Sequence, residues 1–311
     1  MISPKPLPRR FQVDKKTTPM TIGIGMLCAQ GAVIAADTRI SRPDGSTDSA
    51  RKVRIEKSAN GVFVVAYASD DANAAKTLLD DLMGDLVQSD PSTLREVEGL
   101  VRPQMAKWAA AYPYGVPNTE LILGASVSAP WVPERQNRGG LGLYFCQPPN
   151  TMNRKHFLES DPSTYIGIGQ GSSIADPLYK SLFGSMTGPK TCLKQIAYLM
   201  YRAKKDYANG CGGDTTAVFL RESEPAAFEI APIWMQTAET TIVLFDNLLN
   251  IASSAILSPT KGDAMAMCEH FRSVVETVTA LRVKRFCTMF NQEICEDGIV
   301  RHFPVDQQTE D

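Results

Sequence analysis

Histidine is scarce in this chain. Its three copies, His156, His270 and His302, lie in unlike contexts, which argues against a histidine-based triad and against a zinc site. The seven cysteines form no CxxC pair, and several fall in apolar strand or helix patterns, so reduced thiols and a cytoplasmic setting are expected. No apolar run reaches the roughly 18 residues that a membrane span needs. Neither sign of charge is in excess: a formal net charge of -2 supplies no field for nucleic acid or an anionic membrane surface. Residues 1–20 carry Lys5, Arg9, Arg10, Lys15 and Lys16 without an apolar block behind them, so they read as a polar leader and not a secretory signal. There is no internal repeat or low-complexity segment. What remains is a chain of 311 residues, 43% hydrophobic and 21% charged, long enough for a soluble globular protein with a real core.

Apolar patterning predicts a strand at residues 22–27, a turn at 28–31 whose Gly31 supplies the positive φ of a tight hairpin, and a second strand at 32–36. Strands follow at 52–57 and 61–69. Asp70 and Asp71 open a helical pattern through residue 88, and Ser92 caps a second helix to about residue 112, with Pro103 as a possible kink. Strands are expected at 120–127, 141–146 and 165–168, helices at 174–183 and 190–208, and last strands at 215–221 and 226–230. This order fits helix layers covering stacked sheets better than a parallel βαβ fold. Beyond residue 232, helical patterns at 235–257 and 263–285 form an extension, read as packing or an assembly surface.

Residues 21–52 hold a hydroxyl, an acid and an amine in strand-ready context. If the chain starts at Thr21, one residue carries both a nucleophilic hydroxyl and a free α-amine able to act as its base. The unperturbed pKa of such an amine is roughly 7.7 to 8.0, and a neighbouring ammonium from Lys52 lowers it. Asp37, ending the second strand, is placed to hold that lysine.

The run TIGIG at 21–25, GAVIAADTR at 31–39 and RKV at 51–53 resembles the start of a catalytic proteasome β-type subunit, an N-terminal-nucleophile hydrolase. With Thr21 on that family's nucleophile, Gly25, Gly31, Asp37 and Arg39 match without a gap, and Lys52 matches if the loop at 42–48, with its Pro-Asp-Gly turn, is one residue shorter. The resemblance spans residues 21–232. It implies an α+β fold, a four-layer αββα sandwich, with residues 1–20 as leader or propeptide, or upstream of a true start at Met20, and 233–311 as an extra helical extension. It further implies a threonine peptidase cleaving peptides or unfolded proteins in a homo-oligomer, without metal or cofactor. Thr21 would attack, Lys52 would tune its amine, and Asp37 and Asp206 would support the site. Arg39 would brace the first hairpin. Backbone N–H groups at Tyr67 and Ala68 would form the oxyanion hole, where Tyr67 replaces the family's common glycine. Ile40, Ala50, Val65 and Ser69 would line a small to medium, uncharged specificity pocket.

Two supporting serines of that family are replaced here, one by Gln170 in Gly169-Gln-Gly171 and the other by Asn209 in Asp206-Tyr-Ala-Asn209-Gly210. Asparagine can donate and accept hydrogen bonds but cannot pass a proton as a hydroxyl does. Two other readings therefore stand beside the peptidase: a non-catalytic structural subunit whose Thr21 is never exposed, and an amidase acting on a small amide. Residues 167–173, GIGQGSS, look like a phosphate loop but lack its Gly-Lys-Ser/Thr ending. Nothing in the sequence speaks to ring size or to an ATPase partner.

Overall fold

The computed structural model describes residues 21–41, 47–128, 140–155, 164–183, 187–208, 210–222, 224–257, 269, 272–273, 276, 292–294 and 300–302. Two wholly buried apolar runs form the first hairpin, β1 (Gly23–Cys28) and β2 (Gly31–Asp37). Gly31 is needed there for a reason other than the one the turn suggested. It does not adopt positive φ. A Cβ on it would instead lie 2.1 Å from the carbonyl oxygen of Leu220 on the neighbouring strand, so only glycine lets the two backbones approach.

The short strands β3 (Arg39–Ser41) and β4 (Thr47–Ser49) pair with each other and had no clear apolar signal; the expected turn at 43–45 lies outside the described residues. β5 (Val53–Lys57) and β6 (Gly61–Ser69) lead to α1 (Ala72–Ser89), whose N-cap is Asp71, accepting from the Asn73 and Ala74 amides at 3.0 Å. The next helix, α2 (Leu94–Ala110), is capped by Thr93 and not by Ser92. Thr93 and Glu96 satisfy each other's backbone amides in a capping box, and Glu96 also accepts from the Ser92 amide, one residue too early to be the cap.

The chain continues through β7 (Thr119–Val127), β8 (Leu141–Gln147), β9 (Thr151–Lys155) and β10 (Tyr165–Ile168). Sequence patterning passed over β9 because it is a polar edge strand with only Met152 fully buried. Then follow α3 (Ser172–Leu182), α4 (Pro189–Asp206), β11 (Thr215–Arg221), β12 (Ala226–Glu229) and α5 (Pro232–Leu257). In the extension, where only helix was expected, β13 (Gln292–Ile294) pairs with β14 (Val300–His302); most of the expected helix at 263–285 lies outside the described residues, as do residues 1–20.

The fold is mixed, with two five-stranded antiparallel sheets in the orders β10-β1-β2-β11-β12 and β5-β6-β7-β8-β9. Period-two alternation sorts the core. On β6, Phe63 and Val65 pack with α1 and α2, while Val62, Val64, Ala66 and Ala68 pack with Ile34, Ala36, Val218 and Leu220 of the other sheet. Burial on both faces explains why β6 reads as a continuous apolar run. A third cluster joins β1 to α3 and α4, and Met235 of α5 is buried in it beside the partly buried Trp234, Ala238 and Ile242. No helix among the described residues is long and apolar enough to cross a membrane.

Candidate active site

Hairpin register brings the chemistry together. With Gly23 opposite Ala36, the chain just before β1 lies against the end of β2: the Asp37 amide donates to the Ile22 carbonyl at 3.1 Å, and the Ile22 amide donates to Asp37 Oδ1 at 3.3 Å. Thr21 Oγ1 then donates to Asp37 Oδ1. Lys52 arrives from the other sheet, immediately before β5. Its three ammonium protons have three acceptors: Thr21 Oγ1, Asp37 Oδ1 at 2.8 Å, and the Arg39 carbonyl. Asp37 Oδ2 accepts from the Gly212 amide at 2.9 Å.

Thr21, Asp37 and Lys52 are only 3%, 0% and 5% exposed. A buried ion pair of this kind holds together only when its remaining hydrogen-bonding capacity is filled, as it is here. Burial lowers the Lys52 pKa from its ordinary value, and the Asp37 charge partly opposes that shift. A lysine so placed gives up a proton more readily than an exposed one, and it stands against the Thr21 hydroxyl.

Arg39 braces the segment behind Asp37. Its guanidinium donates to the Ala208 carbonyl and, at 3.4 Å, to that of Cys211. A Cβ on Gly212 would lie 2.5 Å from Arg39 Cζ, so glycine is what lets that amide reach Asp37 beneath the arginine. The Cys211 thiol is buried next to this group, and burial, with Asp37's charge adding to it, pushes its pKa up to about 12, which leaves it an inert packing group. On the other side of Thr21 runs the loop Gly169-Gln170-Gly171. The Gly171 amide donates to the Thr21 carbonyl at 3.0 Å, and Gly169 adopts φ +74 with its α-carbon packed against Thr21.

Thr21, Asp37, Lys52 and Arg39 are thus brought into one cluster, with Gln170 in the loop beside it. Asp206 lies apart from this hydrogen-bonded group, at the end of α4 with its carboxylate 3.5 Å from Arg202. Asn209 lies outside the described residues. The Tyr67 side chain turns onto the α1–α2 core, and burial raises its phenol pKa. The β5–β6 ladder ends at Val53 opposite Ala66, so Tyr67, Ala68 and Ser69 run on beside Lys52 with β7 as their ladder partner among the described residues. Of the expected pocket residues, Val65 is sealed beneath α1 and α2, and the Ser69 hydroxyl bonds Thr119 at 2.8 Å and the Asp71 carbonyl at 2.9 Å. Ile40, Ala50 and Ser69 are partly open. Two participants went unread. Gly212 was hinted at by the Cys-Gly-Gly run, whereas Glu120, which accepts from the Gly169 amide at 2.7 Å, lies near the start of a mostly apolar strand and gave no signal. Among the described residues no group of three or more His, Cys, Asp or Glu side chains could hold a metal ion.

The fold belongs to a class of structure already seen in solved proteins. An Anbu (Gly-1) mutant from Hyphomicrobium sp. strain MC1 aligns with TM-score 0.59 and 14% identity, over 76% of this chain and 100% of that one. Anbu (ancestral beta-subunit) from Yersinia bercovieri aligns with TM-score 0.59 and 14% identity, over 75% of this chain and 97% of that one. The helical assembly of the Anbu complex from Pseudomonas aeruginosa gives TM-score 0.59 and 13% identity, over 78% and 99%. No protein-family model and no curated protein matches the chain. These findings correct the family taken from the first hairpin: the structural neighbours are Anbu proteins and not a catalytic proteasome β-type subunit, and at this identity what is shared is the fold. The hairpin alone could not separate the two, because a strand-turn-strand register is a property of the backbone that relatives sharing a fold have in common.

Proposed function

We propose that this protein is a threonine-type N-terminal-nucleophile hydrolase acting on peptide bonds. The observation that carries the reading is the contact of Thr21 Oγ1 with both Lys52 Nζ and Asp37 Oδ1 in one buried group. In the active form the α-amine of Thr21 is free. It takes the Oγ1 proton as that oxygen attacks the scissile carbonyl carbon, and passes the proton to the leaving amine as the C–N bond breaks. The resulting ester on Thr21 is hydrolysed by a water that the same amine deprotonates. Lys52 lowers the amine pKa and stabilises charge on the attacking oxygen, while Asp37 holds Lys52 in place. A backbone N–H at Tyr67 or Ala68 receives the oxyanion, a role supported by the way β6 outruns β5 at this point.

The three core clusters support a four-layer αββα arrangement, α3 and α4 on one sheet and α1 and α2 on the other. Self-assembly belongs to the same reading, in keeping with the helical assembly described for the Pseudomonas Anbu complex. Half-exposed Leu182 and Phe245 offer apolar contact for it. Four buried free cysteines, Cys28, Cys146, Cys192 and Cys211, support a reducing, cytoplasmic setting.

The test is the mass of the native chain together with hydrolysis of a peptide library. A chain beginning at Thr21 that cleaves peptides, and a Thr21→Ala variant that does not, are the expected results. Native protein that retains residues 1–20 while cleaving at the full rate would overturn the reading. Turnover confined to small amides would replace peptide by amide as the substrate.

A further inference from the structure

We infer that Glu120 is a positioning residue for Thr21, acting through the Gly169-Gln170-Gly171 loop; this rests on the reading of Thr21 as nucleophile. Glu120 pairs with Ala68 across β6 and β7, so its side chain stands on the same side as Ala68, which packs between the two sheets. From there it reaches the first sheet's territory, where Oε2 accepts from the Gly169 amide at 2.7 Å. A Cβ on Gly169 would fall 2.4 Å from the Thr21 carbonyl oxygen and 2.8 Å from Thr21 Cγ2, which shows how closely this loop is pressed to the nucleophile. Two residues further on, the Gly171 amide donates to the same carbonyl at 3.0 Å. The loop continues into α3, with the Ser172 amide and hydroxyl both donating to the Gly169 carbonyl, at 3.1 and 2.7 Å.

A loop with two glycines in three positions is intrinsically loose, and something must hold it. A carboxylate accepting a backbone N–H is a stronger anchor than a neutral acceptor. The anchor also spans the right gap. Glu120 belongs to the sheet whose β6 end is proposed to hold the oxyanion, while Gly171 grips the residue that attacks. Their link sets the spacing between attacking oxygen and oxyanion donor, and errors in such spacing of about 1 Å cost about 100-fold in rate.

The test uses the full-length protein, with kcat and KM on a fluorogenic peptide, thermal unfolding, and amide hydrogen exchange over residues 169–171. Glu120→Ala should lower kcat by about 10- to 100-fold with KM nearly unchanged, and speed exchange in the loop while leaving Tm and exchange elsewhere unaltered. Glu120→Gln keeps an acceptor oxygen and should restore most of kcat. Wild-type kcat and exchange in Glu120→Ala would overturn the inference, as would a loss that Glu120→Gln fails to rescue and that tracks a fall in Tm. Should the wild-type protein prove inert with residues 1–20 attached, the nucleophile reading fails by itself. Loop exchange then decides: faster in Glu120→Ala upholds the anchor, unchanged removes it.

Discussion

The two five-stranded sheets carry similar apolar cores, yet the buried charges of the described domain gather where their ends meet. The β10-β1-β2-β11-β12 sheet supplies Thr21, Asp37 and, through the loop after α4, the Gly212 amide; the β5-β6-β7-β8-β9 sheet supplies Lys52 at its entrance and Glu120 at the start of β7. Elsewhere the second sheet buries groups that have no such partners in the site: Tyr144, completely inaccessible, has its phenol pKa raised by burial, and Cys146 its thiol to about 12. The lesson is that burial disfavours the charged form of every such group, and that at Lys52 the adjoining Asp37 carboxylate opposes that penalty in part. The hydrogen-bonded group needs both sheets, because Thr21 and Asp37 come from one and Lys52 from the other.

Removing the hydroxyl breaks this comparison most severely. Thr21→Ala should reduce peptide hydrolysis by about 10⁴-fold or more, with only about 1 kcal/mol lost from stability for the missing hydrogen bond. Comparison of turnover and urea unfolding checks both, and a normal rate would leave the first sheet without any reactive role.

A pair of glycines sharpens the contrast next. Gly169→Ala places a Cβ against the Thr21 backbone at φ +74, and should cost about 1–3 kcal/mol of stability and about 100-fold in kcat. Gly84→Ala, in α1 with nothing near its Cβ, should instead stabilise by about 1 kcal/mol and leave the rate alone. Thermal unfolding of both variants separates site from scaffold.

The buried lysine makes a smaller, pH-dependent difference. Its pKa is depressed in the folded chain and returns to the ordinary value on unfolding. Between those two values the unfolded chain binds more protons, so the Lys52 contribution to stability rises with pH across that window and falls away as pH drops through the folded pKa. Urea unfolding at about pH 8 and about pH 10 should therefore show a larger gain for wild type than for Lys52→Met. Equal slopes would mean that the ammonium is not penalised by burial.

The smallest effect lies farthest from the site. Thr93→Ala removes the α2 capping hydroxyl and should cost about 1 kcal/mol in urea unfolding, with kcat unchanged.

Much of the hairpin was legible because its logic is local. Thr21 and Asp37 flank one strand-turn-strand unit of two wholly buried apolar runs whose register sets which ends meet, while Lys52 follows at the entrance to the other sheet. The cap of α2 was misplaced by one residue, since Ser92 and Thr93 are chemically alike and only geometry chose between them. Gly31 was recognised as necessary but for the wrong cause, because the backbone that crowds it belongs to β11, far along the chain.

The sequence by itself determined most of the strand and helix pattern of the core and set Thr21 and Asp37 at meeting ends of one hairpin, because side-chain periodicity and short hairpins are properties of neighbouring residues. Tertiary structure alone decided which distant groups complete the site. Gly212 reaches Asp37 across 175 positions and Glu120 reaches Gly169 across 49, and no local pattern encodes either meeting. It also decided what Tyr67, Val65 and Ser69 do, since the face a strand residue presents follows from its residue position, but what covers that face follows from how the sheets and helices stack.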